Sequence, residues 1–155
     1  MTSPAFPTET EVQNLAELRE FWRTLLLQRE KRCLLLLSGD VGAGKTTSVQ
    51  EMAHLLGMRD VQSPSFAIHL RYENPQGEGL DHLDLYRLQD DDDLESSGFW
   101  DLFAQPEGLI VVEWADRLKA DYLPLNWQQI HVHFTKKSEQ SRLLRVTFKK
   151  PGADL

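Results

Sequence analysis

The sequence predicts an α/β protein whose sheet is partly antiparallel. Its most apolar segment, residues 33–38, runs directly into a glycine-rich loop and then into a helical segment over 46–56. Two pairs of strand-like segments follow, each pair joined by a polar stretch of turn-forming residues. A strand–loop–helix unit accompanied by such pairs is typical of α/β folds in which parallel and antiparallel strands share one sheet.

The first predicted element is a helix that begins near Glu11. Its apolar residues recur every three or four positions, which places them on one helical face. They are Val12, Leu15, Leu18, Trp22, Leu25 and Leu26. Thr10 and Gln13 have the spacing of a capping box. The helix is expected to end near Gln28, before the basic segment REKR. Residues 1–9 are expected to form a loose tail.

The later elements follow from the same periodicities. Gly57 ends the helix predicted over 46–56. SPSFAIHLRYE and GLDHLDLYRL predict two strands around the turn NPQGEG, and QDDDDLESSGFWDLF predicts short helical pieces with an acidic face. GLIVVEWADRL predicts a second buried strand that leads into a loop or short helix, and QQIHVHF and RLLRVTF predict two alternating strands joined by TKKSEQS. We therefore expect a single domain over 1–155, with a second flexible tail at 150–155.

Length and composition restrict the class of protein. A chain of 155 residues can bury a sizeable core, and its one cysteine, Cys33, excludes an intramolecular disulfide and is expected in that core. No signal peptide is evident and the apolar run at 34–37 is too short to cross a bilayer, so we expect a cytoplasmic protein without a membrane partner. The net charge of -7 argues against a stand-alone nucleic-acid binder, so a partner is expected to hold any RNA substrate.

The loop after the apolar strand matches the pattern G-x-x-x-x-G-K-[ST] in full. Its glycines permit unusual backbone conformations and leave no side chain in the way, so backbone amides can turn inward around a phosphate. The following helix adds the positive end of its dipole. Lys45 is expected to reach the β- and γ-phosphates, and the Thr46 hydroxyl to bind magnesium. The predicted nucleotide-binding residues of this loop are Gly39, Asp40, Val41, Gly42, Ala43, Gly44, Lys45, Thr46 and Thr47.

A site of this kind also needs a carboxylate near magnesium, at the end of a neighbouring buried strand. Glu113, which ends LIVVE, has that position. Magnesium keeps several of its waters, so one carboxylate together with Thr46 suffices. The alternative interpretation of Glu113 is an exposed carboxylate at the point where the strand reaches the surface.

Asp84 is the second candidate carboxylate, and it shares a strand face with His82 and Tyr86. A carboxylate among apolar neighbours needs a partner. That partner is either magnesium or the attacking water, or else Arg87 or another cation. A zinc site at His82 and Asp84 is disfavoured, because no further histidine or cysteine lies at ligand spacing.

Other segments leave two interpretations open. Ser63, Pro64, Ser65 and Phe66 form either a turn that enters a strand or a switch whose hydroxyls sense the γ-phosphate. Trp114 either stacks on a nucleotide base or packs beside the strand end. The aspartates at 90–93 form a solvated face or a docking surface for a basic partner.

Two classes of nucleotide-binding enzyme lack support. TKKS at 135–138 does not supply the [NT]-K-x-D motif that reads guanine in GTPases. The arginine-rich lid of small-molecule kinases is not evident either, since the arginines are scattered and none is identified as an arginine finger. Those considered are Arg71, Arg87, Arg117 and Arg142.

GDVGAGKTT, SPSF, HLDLYRL and VVEWADRL occur in an order and at spacings that resemble the bacterial TsaE (YjeE-like) family. That family is the ATPase subunit of the machinery that forms N6-threonylcarbamoyladenosine (t6A37) in tRNA. The resemblance implies a P-loop NTPase-like three-layer fold with a mixed sheet, the cofactors ATP and Mg2+, and weak hydrolysis by the isolated chain. It also implies the partners TsaD and TsaB, which carry out the transfer, contact tRNA and are reset by the ATPase between turnovers.

The resemblance also assigns roles to individual residues. The family's magnesium and catalytic positions fall on Thr46, Asp84 and Glu113, together with the loop cation Lys45. Its switch falls on residues 63–66. Its base-side tryptophan falls on Trp114, which would add this residue to the nucleotide-binding set.

Three positions depart from the family pattern. Ser65 replaces the threonine of S-P-T-F but keeps a hydroxyl, and Ala115 replaces the proline after the tryptophan, which relaxes the backbone there. The family's base-side threonine matches Val12, with Thr10 close by, so this contact is not assigned. An ATPase subunit of the t6A complex is the leading hypothesis. The alternatives are a P-loop small-molecule kinase and a non-catalytic module that docks in an ATP-dependent manner.

Overall fold

The structure is a computed structural model that describes residues 6–58, 69–86, 91–119, 121 and 123–152, the side chains of 91–93 excepted. Its helices and strands are β1 (Glu9–Val12), α1 (Leu15–Leu26), β2 (Arg32–Gly39), α2 (Lys45–Leu55), β3 (His69–Glu73), β4 (Gly79–Asp84), α3 (Asp91–Ser96), β5 (Gly108–Glu113), β6 (Gln128–Lys136) and β7 (Arg142–Lys149). Short 3-10 helices lie on either side of β5 in the chain, at Trp100–Ala104 and at Ala115–Arg117.

All the strands of the described residues join one sheet in the order β1-β7-β6-β2-β5-β4-β3. The pairs β2–β6, β2–β5 and β4–β5 are parallel, whereas β1–β7, β6–β7 and β3–β4 are antiparallel. The parallel strands occupy the middle of the sheet, and the hairpin-type pairs β3–β4 and β6–β7, together with the N-terminal strand β1, add antiparallel strands at its edges. This arrangement confirms the predicted α/β fold with a mixed, partly antiparallel sheet.

Helices cover both faces of β2, which explains its unbroken apolar run. Cys33, Leu35 and Leu37 pack in the core beneath α1 and α2. Leu34 and Leu36 point the other way, into a second core that includes residues of α3 and of the 3-10 helix at Trp100–Ala104. The two cores on opposite sides of the sheet give the predicted three layers.

The predicted start of the first helix is wrong. Val12 lies in β1, where it is opposite Arg142 of β7, and α1 begins only at Leu15. The N-cap is Asn14, whose Oδ1 accepts a hydrogen bond from the Glu17 amide at 2.9 Å. Val12 fits the helical spacing, but its side chain reaches the same core from an edge strand. The capping box expected at Thr10 and Gln13 is therefore replaced by a cap four residues after Thr10.

The described parts of the two expected tails are packed against the rest of the chain. The Phe6 ring lies 5.8 Å from that of Phe21 and 5.7 Å from that of Phe148, centroid to centroid. The Gly152 amide donates a hydrogen bond to the Leu125 carbonyl at 2.6 Å. An aromatic residue in the first segment has apolar surface to bury, which the prolines alone did not reveal.

Cys33 is buried and unpaired, as expected of a core residue. Burial in the apolar interior raises the pKa of its thiol to about 12. Among the described helices, none is long and apolar enough to cross a membrane.

The carboxyl ends of the parallel strands β2, β5 and β4 meet at one edge of the sheet. Leu37 of β2 and Asp84 of β4 are both paired in register with Glu113 of β5. The glycine loop leaves β2 at this same edge. In open α/β sheets this edge is where ligands bind, so the fold brings the predicted site residues of three strands together.

Candidate phosphate-binding site

The glycine loop has a backbone that only glycine adopts readily at three of its positions. Gly39, Gly42 and Gly44 have φ angles of 126°, 73° and 106°. At Gly39 the constraint is also one of space, because a Cβ atom there would lie 2.2 Å from the Phe134 carbonyl oxygen of β6. The neighbouring strand thus requires glycine where the loop begins.

Helix α2 begins where the loop ends, and no side chain caps its N-terminus. Gly44 is the N-cap and makes no side-chain cap hydrogen bond. The first amides of a helix lack partners within the helix, and they carry the positive end of its dipole. The loop therefore points an uncapped helix end at the cavity, which is the arrangement that binds phosphate.

Lys45 is folded back over the loop. Its Nζ donates hydrogen bonds to the carbonyl oxygens of Gly39 at 2.7 Å and Asp40 at 2.8 Å, and the Trp114 ring lies 4.3 Å from it. Burial lowers the pKa of Lys45, against the opposing attraction of Glu113 and nearby aspartates. The Lys45 ammonium is thus stabilised by carbonyl dipoles of the loop and by the face of the Trp114 ring, which follows β5.

Thr46 and Glu113 are joined directly. The Thr46 hydroxyl donates to Glu113 Oε1 at 2.7 Å, and the second oxygen, Oε2, accepts from His82 Nε2 at 2.5 Å. Glu113 is only 1% exposed, so the alternative interpretation of an exposed carboxylate is wrong. The first residue after the loop lysine and the carboxylate on the next strand are therefore in contact.

Asp84 lies beside Glu113 on the adjacent strand, and its Oδ1 accepts a hydrogen bond from the Tyr86 amide at 3.0 Å. Burial raises the pKa of Asp84, and the negative charge of Glu113 raises it further. The Tyr86 amide, His82 and Lys45 act in the opposite direction without cancelling the rise. Arg87, the alternative partner proposed from the sequence, lies outside the described residues.

These groups surround a cavity of about 300 Å³. Its lining residues are Val41, Gly42, Gly44, Lys45, Thr46, Thr47, Asp84, Tyr86, Glu113 and Trp114. Gly39, Asp40 and Ala43 belong to the loop but not to this lining, whereas Tyr86 lines it without having been assigned a role from the sequence. Trp114 packs on Tyr86, with ring centroids 5.1 Å apart, and lies at the Lys45 end of the cavity.

The oxygen donors of the cavity suit magnesium better than zinc. The Thr46 hydroxyl and the carboxylates of Glu113 and Asp84 are hard oxygen ligands of the kind that magnesium prefers. Among the described residues, no group of three or more His, Cys, Asp or Glu side chains is arranged to hold a metal ion. An ion here would therefore take its remaining ligands from phosphate and water, as magnesium does.

Two contacts at the site were not predicted from the sequence. His82, which shares a strand face with Asp84, bonds Glu113, and the Arg142 guanidinium donates to the Gly42 carbonyl at 3.3 Å. The shared face was a usable signal for His82. Nothing local indicated Arg142, because it reaches the loop from the far end of the sequence. The predicted switch, Ser63 to Phe66, and the aspartates at 90–93 lie outside the described side chains.

The buried strand, the glycine loop closed on Lys45 and the helix that starts there define a protein of the P-loop class. The family model described as "Threonylcarbamoyl adenosine biosynthesis protein TsaE" matches residues 12–144. The chain belongs to the TsaE family, which confirms the resemblance seen in the sequence.

Individual relatives agree with this assignment. A protein from Haemophilus influenzae named tRNA threonylcarbamoyladenosine biosynthesis protein TsaE is 37% identical over 94 residues, which are 60% of this chain and 58% of that protein. A protein of the same name from a Nostoc species is 34% identical over 117 residues, 74% of this chain and 69% of that protein. The chain thus aligns with little more than half of the Haemophilus protein's length.

A solved structure has the same fold. The crystal structure of YdiB from Bacillus subtilis matches with a TM-score of 0.61 and 27% sequence identity. The match covers 93% of this chain and 85% of that chain. The architecture described above is therefore shared across most of the length of both chains.

Proposed function

We propose that this chain binds ATP with magnesium and hydrolyses it as a subunit of the system that forms t6A in tRNA. The observation that carries the proposal is the hydrogen bond between Thr46 and Glu113, beside the ammonium of Lys45. It joins the two groups that a P-loop site needs around its ion, one at the start of α2 and the other at the end of β5, next to the loop. The names of the relatives supply the pathway.

In this proposal each side chain has a distinct task. Lys45 and the loop amides hold the phosphates, and Lys45 leaves the carbonyls of Gly39 and Asp40 to do so. Thr46 and Glu113 hold magnesium, which when bound neutralises charge on the phosphate oxygens. Asp84 orients the ion or the attacking water, and Ser63 and Ser65 of the switch sense the γ-phosphate.

The chemistry is mainly positioning and charge stabilisation. Because no arginine finger has been identified in the chain, we expect it to hydrolyse ATP slowly by itself. The partners proposed from the family are TsaD and TsaB, which carry out the transfer and which the ATPase resets between turnovers. The acidic chain would meet tRNA only through them, in the cytoplasm.

The decisive experiment measures ATP hydrolysis by this chain with and without TsaD and TsaB. We expect a large partner-dependent increase, no hydrolysis by Lys45→Ala, and reduced turnover by Asp84→Ala and Glu113→Ala, both of which should still fold stably. Glu73→Ala, which removes an exposed carboxylate remote from the cavity, is the matched control and should keep full turnover. A wild-type rate for Glu113→Ala within the complex would refute the metal assignment.

Two further outcomes would replace this function with another. Phosphorylation of an acceptor in a screen of small molecules would make the chain a kinase. Repeated cycles of tRNA modification with a non-hydrolysable ATP analogue would make it a docking module without catalysis. Our proposal requires acceptor-independent phosphate release and a stalled cycle with the analogue.

A further inference from the structure

His82 is a buried histidine for which the proposed function has no task so far. It is 1% exposed, and its Nε2 lies 2.5 Å from Glu113 Oε2. An ionised carboxylate only accepts hydrogen bonds, so Nε2 carries the proton and donates it. Nδ1 is buried without a hydrogen-bond partner among the described residues, which costs less for a bare acceptor than for an orphaned N–H. The ring is therefore committed to a single contact, the one with Glu113.

The position of His82 follows from the strand register. His82 is paired with Val111, two residues before Glu113 on the neighbouring parallel strand. Side chains two residues apart on a strand share a face, so His82 approaches the Glu113 carboxylate from within the sheet. The Thr46 hydroxyl approaches the other oxygen from α2. Glu113 is held from two sides by groups on two different elements.

Without the hydrogen bond from His82, the Glu113 side chain could adopt a competing orientation. Its register partner on the same face is Asp84, a second carboxylate, and the attraction of Glu113 acts on the ammonium of Lys45. A carboxylate released from His82 would turn away from the like charge and towards the cation. An ion pair between Glu113 and Lys45 would then take both groups from the phosphate and the ion that they are proposed to bind.

We propose that His82 is a positioning residue, which fixes the Glu113 carboxylate so that its Oε1 faces Thr46 and the two groups present their oxygens together to magnesium. This inference rests on the proposed function, since it concerns the same site. Ligating carboxylates are themselves oriented by hydrogen bonds, and loss of such a partner typically lowers metal affinity about 10- to 100-fold. We expect a loss of that size when His82 is replaced by an apolar residue.

The test measures metal binding rather than turnover. Mn2+ is titrated into the full chain in the presence of a non-hydrolysable ATP analogue, and free Mn2+ is followed by electron paramagnetic resonance. Affinity for the analogue is measured separately in EDTA. His82→Leu removes the donor, whereas the Nε2 of His82→Gln can occupy the place of the histidine Nε2 and should restore binding to within about threefold, well inside the 10- to 100-fold loss.

The chain supplies a matched control at Asp81, which lies on the other face of β4 and is contacted by His69 of the neighbouring strand β3. His69 Nε2 lies 2.8 Å from the buried carboxylate of Asp81, so His69→Leu deletes the same kind of contact away from the loop. We expect His69→Leu to lower the melting temperature but to leave Mn2+ affinity unchanged. His82→Leu should lower Mn2+ affinity, and because the released Glu113 competes for Lys45 it should also weaken binding of the analogue in EDTA, which His69→Leu should leave unchanged.

Each outcome decides one point. Equal Mn2+ affinity of His82→Leu and the wild-type chain overturns the role of His82, and so does an equal loss in His69→Leu. If His82→Leu does not fold, His82→Asn replaces it, because its shorter amide cannot reach Glu113. Restored binding in His82→Gln but not in His82→Asn then supports the inference, and equal binding of the two overturns it. A wild-type chain that binds neither analogue nor Mn2+ refutes the proposed function itself.

Discussion

The ammonium of Lys45 lies against the face of the Trp114 ring, with Nζ 4.3 Å from the ring centroid. Trp114 follows β5 directly and is, within the described residues, the one non-glycine residue with a positive φ angle, 59°. A left-handed conformation costs a non-glycine residue about 1–2 kcal/mol. The contacts of the ring with Lys45 and Tyr86 offset that cost, so the tryptophan covers the cation that is proposed to meet the phosphates.

We predict that a phosphate ligand changes the fluorescence of Trp114 by drawing Lys45 away from its ring. Because the effect passes through the cation, tripolyphosphate should produce it as well as ATP. Trp114→Phe should abolish the change, whereas Trp100→Phe, which alters a tryptophan remote from the loop, should retain it. A response to ATP but not to tripolyphosphate would contradict this and favour contact between Trp114 and the base.

The second prediction concerns the start of the loop. Gly39→Ala places a Cβ 2.2 Å from the Phe134 carbonyl oxygen and forces a residue with φ of 126° to carry a side chain. We expect a loss of about 3 kcal/mol or more in the free energy of unfolding, since both backbone strain and a steric overlap with a strand contribute. Urea denaturation followed by circular dichroism measures this loss.

Gly42→Ala is the control for Gly39→Ala. Gly42 also has a positive φ, 73°, but a Cβ there meets nothing within 4 Å. Only the conformational cost remains, about 1–2 kcal/mol. Equal losses for the two variants would show that the approach of Phe134 does not constrain the loop.

Cys33 provides a third prediction, on chemical reactivity. Burial raises the pKa of its thiol to about 12, so very little thiolate exists at pH 8 in the folded chain. A thiol reagent such as 5,5′-dithiobis(2-nitrobenzoic acid) should therefore react slowly with the native chain and fully in urea. Rapid reaction without urea would place Cys33 at the surface, contrary to its position in β2.

Much of this fold could be predicted because local pattern and tertiary role coincide. The run that became β2 is apolar at successive positions since helices cover both its faces. The glycine loop could be predicted from its spacing alone, because the pattern encodes the backbone that a phosphate requires. For Glu113 the prediction from its place at a strand end also agrees with its position beside Thr46.

The features that the sequence did not predict depend on pairing between strands that are far apart in the chain. Val12 satisfies a helical stripe, and only its pairing with β7, far along the chain, makes it part of a strand. The bond from His82 to Glu113 depends on the register of β4 on β5, which the sequence does not state. The strand order and the contact of Arg142 with Gly42 likewise require knowledge of which strands are neighbours.

The last prediction concerns Asp81, which is 0% exposed on the β4 face opposite His82. Burial alone would raise the pKa of Asp81, but hydrogen bonds from His69, Arg71 and Gln105 and the charge of Arg71 outweigh it, so the pKa is lower than the ordinary 3.8. The unfolded chain therefore takes up a proton at higher pH than the folded chain. The stability that Asp81 contributes is present above pH 3.8 and is lost as the pH falls through the lower folded pKa.

Asp81→Asn should therefore lower the free energy of unfolding at neutral pH by about 2–3 kcal/mol, the size expected for lost hydrogen bonds to a charged group. The difference from the wild type should begin to shrink below pH 3.8, where the carboxylate of the unfolded chain becomes protonated, and should shrink further as the pH falls through the lower folded pKa. Glu73→Gln removes a carboxylate that contacts the same Arg71 at 3.3 Å but is exposed, so its effect should stay below about 0.5 kcal/mol. Urea denaturation of the three chains between pH 7 and pH 2.5 tests this, and a difference between Asp81→Asn and the wild type that does not vary with pH would mean that the negative charge of Asp81 contributes nothing to stability.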